Sequence, residues 1–199
     1  MRLLLHICCA PCTIHPLAQL RRGGFTIEGL FYNPNIHPFT EYQRRAETLA
    51  TYAAQVELPV IWGEGYPLEE FLRGVAFREA DRCRYCYFMR LQEAARVARH
   101  GKFDAFSTTL LYSPYQKHEL IRNIGESLGR SWGVAFHYAD FRPGWKEGVR
   151  ISRALGMYRQ PYCGCLYSEK ERYFRPHRLQ PAPAFLLERE ASREVRDNE

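Results

Sequence analysis

Seven cysteines, gathered as Cys8, Cys9 and Cys12, then Cys83 and Cys86, then Cys163 and Cys165, constrain this chain more than any other feature. The run from Met1 to Ile7 is too short for a signal peptide, and no stretch approaches the roughly 18 consecutive apolar residues of a membrane helix. The expected setting is therefore the reducing cytoplasm, away from any membrane, where thiols stay thiols and groups of them bind metal or do redox chemistry. A lone buried cysteine packs as a small hydrophobe. Neither packing nor a cytosolic disulfide explains three groups, and the pattern points to one convergent site.

Thiolate sulfur is a soft donor that suits iron–sulfur clusters and zinc, and a four-iron cubane takes one protein ligand at each iron. Seven thiols exceed one such set. Cys83 and Cys86, three apart at the start of a predicted helix, project from one face. Cys163-Gly164-Cys165 offers a tight pair in which glycine lets the backbone turn closely around a metal. Spacing alone leaves zinc open as the metal. Cys9-Ala10-Pro11-Cys12 also has the form of a dithiol–disulfide motif at a helix N-terminus, but that reading leaves the five other cysteines without a purpose.

With 199 residues, 46% of them hydrophobic, the chain is sized for one domain with a real core. The formal net charge is +6, yet residues 179–199 hold three Arg against five acidic residues, so the remainder carries +8. Such an excess favours a polyanionic partner. The expected organisation is a metal-binding catalytic domain over residues 1–178 and a charged, mobile tail over 179–199.

Hydrophobic patterning divides the rest of the chain. Arg2 to Ile7 reads as a buried strand running into the Cys8–Cys12 loop, and a helix follows from about His15 to Arg22. Phe25 to Tyr32 is a strand ending at the Asn33-Pro34-Asn35 turn, Phe39 to Val56 a helix, and Pro59 to Trp62 a short strand. Leu68 to Gly74 and Cys83 to Arg99 read as helices, the second with Gly101 at its C-terminal cap. Phe103 to Thr108 is a strand, Tyr115 to Arg130 a helix, Val134 to Tyr138 a strand, and Trp145 to Leu155 a helix. This alternation predicts a single α/β domain of Rossmann-like or HUP-like type, with a mainly parallel sheet flanked by helices and the metal site at the carboxyl ends of the strands.

Five strings, taken in order, are similar to the signatures of a known family. They are His6-Ile7-Cys8-Cys9-Ala10-Pro11-Cys12; Phe31-Tyr32-Asn33-Pro34-Asn35-Ile36-His37-Pro38 with Glu41-Tyr42; and Arg82-Cys83-Arg84-Tyr85-Cys86-Tyr87 with Arg90-Leu91. Then come Thr108-Thr109-Leu110-Leu111-Tyr112-Ser113-Pro114-Tyr115-Gln116 and Tyr158-Arg159-Gln160-Pro161-Tyr162-Cys163-Gly164-Cys165. Together they span Leu3 to about Ser168, and they resemble the QueH-type, cobalamin-independent epoxyqueuosine reductases.

The resemblance implies an oxidoreductase that removes the epoxide oxygen of epoxyqueuosine at the wobble position of tRNA, the last step of queuosine biosynthesis. It implies a [4Fe–4S] cluster, an additional iron beside it, tRNA as partner, and an electron donor it does not identify. Carried over position by position, Cys8, Cys9, Cys83, Cys86, Cys163 and Cys165 match the family's paired cysteines as metal ligands. Cys12 stands apart, because some relatives carry Asp there, so its role stays open between ligand and neighbour of the ligands. Asn33, His37, Tyr112, Ser113 and Gln116 are candidates for substrate contact, and the proton donor is unassigned. Arg44, Arg45, Arg82, Arg84 and Arg90 are candidates for tRNA phosphates. Two other readings compete. An ATP-dependent tRNA-thiolation enzyme needs a glycine-rich phosphate loop after the first strand, where this chain has Cys-Cys-Ala-Pro-Cys. A zinc-stabilised RNA-binding module would hold zinc without sulfide.

Overall fold

The computed structural model describes residues 1–175, so the expected tail over 179–199 lies outside the described residues. The sheet grows from β1 (Arg2–His6), whose Leu3, Leu4 and Leu5 are wholly buried. Consecutive apolar residues on both faces belong to a central parallel strand covered on both sides. Around it lie β2 (Thr26–Phe31), β3 (Val60–Trp62), β4 (Ala105–Thr108) and β5 (Ala135–Phe136), all parallel, in the order β3-β2-β1-β4-β5.

That order requires the chain to walk outward from β1 to β3 and then return to the opposite side of β1. The outward crossovers are α1 (Ala10–Arg22) and α2 (Phe39–Gln55), and α6 (Trp145–Ala154) packs beside α1. The return passes through α3 (Leu68–Val75) and α4 (Arg82–His100), and α5 (His118–Trp132) then lies against α4. Right-handed crossovers in opposite directions put these two sets on opposite faces of the sheet. In α4, Leu91, Ala94, Ala95 and Ala98 are wholly buried, and the three small alanines let the helix lie close over β1 and β4. At the carboxyl ends of β1 and β4 the connections diverge to opposite faces, which opens a crevice at the switch point of the sheet. Both Cys8 and Thr109 sit there. The fold is the doubly wound α/β domain predicted from the sequence.

Several boundaries depart from the sequence reading. The first helix starts at Ala10 rather than His15, with Cys9 as its N-cap and Pro11 in its first turn, where a missing N–H costs no hydrogen bond. Cys12 is therefore helical. Gly101 follows α4 with φ −77°, and the left-handed residue is Lys102 at φ 54°. The fourth strand begins at Ala105, and between it and α5, which begins at His118, Thr109–Tyr112 forms a 3-10 turn capped by the Thr108 hydroxyl, which accepts from the Leu110 N–H at 3.1 Å. A last helix, α7 (Leu166–Tyr173), was not predicted: it buries no residue fully and so carries no apolar periodicity. No helix of the described residues is long and apolar enough to cross a membrane.

Candidate metal centre

The first cysteine group forms where β1 ends and α1 begins. The three sulfurs of Cys8, Cys9 and Cys12 lie within 4.8 Å of one another, all buried, and this set is placed to hold a metal ion. Two side chains from distant segments fix it. The Thr109 hydroxyl donates to Cys8 Sγ at 3.4 Å and accepts from the Cys8 N–H at 3.1 Å. Gln160 Nε2 stands 3.0 Å from Cys9 Sγ and 3.7 Å from Cys12 Sγ. The N-terminus of α1 faces the group and favours negative charge on sulfur. Hydrogen bonds from Cys12, then Cys9, hold the Cys8 thiol well below its ordinary value, while the same contact with Cys8 holds the Cys12 proton on.

The second group joins α4 to the loop before α7. Cys83 and Cys86 occupy the first turns of α4, and Cys86 packs with Cys165 in a small buried cluster that includes Phe71, Val75 and Met89. Burial pushes the Cys86 thiol up to about 12 and raises Cys83 as well, and negative charge on Cys163 and Cys165 adds to both. Cys86 and Cys165 thus share one buried cluster, and Cys83 lies near enough to Cys163 and Cys165 for their charges to act on it. Gly164 has φ 151°, which side chains rarely adopt, and its N–H donates to the Ser168 hydroxyl at 3.1 Å.

A buried polar network clamps that loop from behind. Arg45, 1% exposed, donates to Glu41 at 2.7 Å, to the Cys163 carbonyl at 3.0 Å and to the Tyr162 carbonyl at 3.1 Å. The Tyr158 hydroxyl donates to the other Glu41 oxygen, and the Tyr162 hydroxyl donates to the His37 carbonyl. The His37 N–H in turn donates to the Gly164 carbonyl at 2.8 Å.

One cavity of about 310 Å³ touches both groups. Cys8, Cys12 and Cys163 border it together with Arg90 and Gln160. Tyr112, Ser113 and Gln116 line it as well, and Gln116 Nε2 lies 3.4 Å from Cys163 Sγ. At the rim Tyr115, 84% exposed, stands edge-on to Trp145 with ring centroids 5.9 Å apart. No Asp, Glu or His is among the described residues that border the cavity.

Two of the substrate candidates lie elsewhere. Asn33 is buried, with Nδ2 donating to the Ile7 carbonyl at 2.9 Å, and the buried His37 ring meets the Pro34 carbonyl at 3.1 Å and packs against Phe71. Both brace the chain behind the cysteines. Arg45 and Arg90 are buried too, which removes them from the candidates for phosphate contact, while Arg44 and Arg84 stay accessible. Sequence reasoning passed over Thr109, Gln160, Glu41, Arg159 and Trp145. The first four lie inside the recognisable motifs, so the signal was present, but only tertiary structure turns those side chains towards sulfur, towards the loop or into the cavity.

A model of the family described as "Epoxyqueuosine reductase QueH" matches residues 3–171. Among curated relatives, the chain is 41% identical over 177 residues to "Epoxyqueuosine reductase QueH" of Dehalococcoides mccartyi, covering 88% of this chain and 97% of that one. The protein of the same description from Thermotoga maritima is 39% identical over 179 residues, with 85% and 91% covered. That from Streptococcus pyogenes is 33% identical over 180 residues, with 84% and 70% covered. With most of its length matched and all five motifs inside the matched span, this chain belongs to the epoxyqueuosine reductase QueH family.

Proposed function

We propose that this protein is an epoxyqueuosine reductase, which removes the epoxide oxygen of epoxyqueuosine at the tRNA wobble position by two-electron reduction and leaves queuosine. Family membership supports the reaction, and the observation that carries it to this site is the single cavity bordered by thiols of both groups. Epoxide removal consumes two electrons and two protons and releases water.

The donor set fits iron and sulfide. Among the described residues, thiols of Cys8, Cys12 and Cys163 border the cavity without a carboxylate or imidazole beside them, and Cys9 stands within 4.8 Å of Cys8 and Cys12. We assign Cys83, Cys86, Cys163 and Cys165 to a [4Fe–4S] cluster, one thiol per iron, and Cys8, Cys9 and Cys12 to an adjacent iron. When bound, the cluster supplies electrons singly from an external one-electron carrier, and the neighbouring iron supplies Lewis acidity at the epoxide oxygen.

The chain's own residues bind, orient and protonate. Tyr115 and Trp145 at the rim offer aromatic surface for a splayed-out base, a sequence-tolerant contact typical of single-stranded RNA recognition. Ser113, Gln116 and Gln160 offer hydrogen bonds deeper in, and Arg159 places a cation at the wall. With no carboxyl or imidazole acid among the described residues that border the cavity, its protic groups are hydroxyls, those of Thr109, Tyr112, Ser113, Tyr115, Ser152 and Tyr162, and burial holds the Tyr112 proton on. The charge of +8 outside residues 179–199 favours the polyanionic tRNA.

The test is anaerobic purification followed by iron, sulfide and zinc analysis, then incubation of the reduced protein with epoxyqueuosine-containing tRNA and nucleoside mass spectrometry. Iron with acid-labile sulfide and conversion to queuosine are expected. Stoichiometric zinc without sulfide, or a fully loaded protein that leaves the epoxide intact, overturns the assignment.

A further inference from the structure

Arg90 is the buried cation that the proposed chemistry leaves unexplained. It stands one helical turn after Cys86 on α4 and is 2% exposed. Its Nε donates to the Cys86 carbonyl at 3.0 Å and its Nη2 to Cys86 Sγ at 2.9 Å. The guanidinium also borders the cavity shared by Cys8 and Cys163. Among the described residues, no carboxylate lies within ion-pair distance of it.

Arg45 shows what a buried arginine ordinarily requires. Its charge is met by Glu41 at 2.7 Å, and that pair is neutral as a whole. Arg90 has no such partner, and a buried guanidinium without an anion is too costly to persist. The anions within its reach are sulfurs: Cys86 in direct contact, and Cys163 and Cys8 across the cavity. Of the other cations near the thiols, Arg82 and Lys117 act on Cys83, with Arg82 paired with Glu171, Arg45 is paired with Glu41, and Arg159 borders the cavity without a hydrogen bond to sulfur among the described residues. Its burial removes Arg90 from any role in contacting tRNA phosphate.

We propose that Arg90 is a positioning residue whose fixed positive charge lies between the two thiolate groups and raises the reduction potential of the [4Fe–4S] cluster held by Cys83, Cys86, Cys163 and Cys165. A positive charge beside a cluster stabilises its reduced, more negative form, and hydrogen bonds to ligand sulfur act in the same direction. One residue thereby both balances the thiolates and eases electron entry. This inference rests on the iron–sulfur reading above.

The experiment is a potentiometric titration followed by electron paramagnetic resonance, on wild type, Arg90→Lys and Arg90→Gln, each with its iron and sulfide content measured first. Lysine keeps the charge, whereas glutamine keeps a donor and loses the charge. A midpoint that moves to more negative potential in Arg90→Gln and stays near wild type in Arg90→Lys is the expected result. Assembly of the cluster in Arg90→Lys but not in Arg90→Gln also supports the role of charge. A wild-type midpoint in a fully loaded Arg90→Gln protein, an equal shift in both variants, or loss of the cluster in both overturns it. If the wild type itself carries zinc and no sulfide, the iron–sulfur reading falls and this inference falls with it; a loaded wild type with an unmoved Arg90→Gln midpoint defeats the inference alone.

Discussion

Replacing Arg45 by methionine removes the clamp behind the Cys163-Gly164-Cys165 loop while keeping most of the side-chain volume. The change strands Glu41, only 6% exposed, with the Tyr158 hydroxyl as the one donor left to its carboxylate among the described residues. Breaking a buried ion pair by deleting one partner costs about 3–5 kcal/mol. It also takes the donors from the carbonyls of Cys163 and Tyr162, each worth about 1–3 kcal/mol if left dry. These terms overlap, because the loop relaxes and admits water, so a net loss of about 3–5 kcal/mol is expected. Urea unfolding of metal-free Arg45→Met protein, followed by tryptophan fluorescence at neutral pH, reads that loss apart from metal binding. Adding Glu41→Gln should recover part of it, since the stranded charge is gone while the unsatisfied carbonyls stay. The single variant should also load less iron, because Cys163 and Cys165 lose their anchor. Stability within about 1 kcal/mol of wild type, or a double variant no more stable than the single one, would refute the clamp.

Three further changes probe the loop, the cavity wall and the rim. Gly164→Ala puts a Cβ at 3.2 Å from Asn35 Nδ2 on a backbone with φ 151°. It should cost about 1–3 kcal/mol in unfolding free energy and lower iron content, and normal loading would count against the geometry of that turn. Gly148→Ala puts a Cβ at 2.1 Å from the Tyr112 hydroxyl oxygen, which must leave its bond to the Trp145 carbonyl. Turnover should fall while iron content holds, with about 1–3 kcal/mol lost to overpacking; unchanged steady-state rates would remove Tyr112 from the reaction. Tyr115→Ala should leave stability within about 0.5 kcal/mol of wild type yet weaken binding of an anticodon stem-loop by about 1–3 kcal/mol, measured by fluorescence anisotropy. Equal affinity would exclude stacking at the rim.

Much of the fold was legible because its signals are local. The Leu3-Leu4-Leu5 run announced a central strand, and strand–helix alternation announced the parallel sheet with its site at the carboxyl ends. Pro11 obscured the start of α1: it reads as a loop residue, yet in a first helical turn it is favourable, and that error left Cys12 outside the helix that positions it. The three groups of cysteines are plain in sequence, but that Cys8, Cys9 and Cys12 form one compact buried set while Cys86 packs with Cys165 follows from which elements the topology makes neighbours. The arginines were the hardest. Arg45 and Arg90 look like surface charges in sequence, and only the partner one turn earlier, Glu41 for one and Cys86 for the other, marks them as interior. Asn33 and His37 suggested ligand contacts because they are polar and lie in a motif, whereas their side chains satisfy buried backbone.

The measurement closest to the centre of the assignment counts electrons against oxygen. Anaerobic, fully loaded wild-type protein is titrated with a chemical reductant in the presence of epoxyqueuosine-containing tRNA, and the nucleosides are quantified by mass spectrometry. An iron–sulfur reductase at this cavity should form one queuosine for every two electrons consumed. Replacing Cys83 or Cys163 by serine should abolish both the cluster and the product. Queuosine formed without the reductant, or formed equally well by the serine variants, would contradict it.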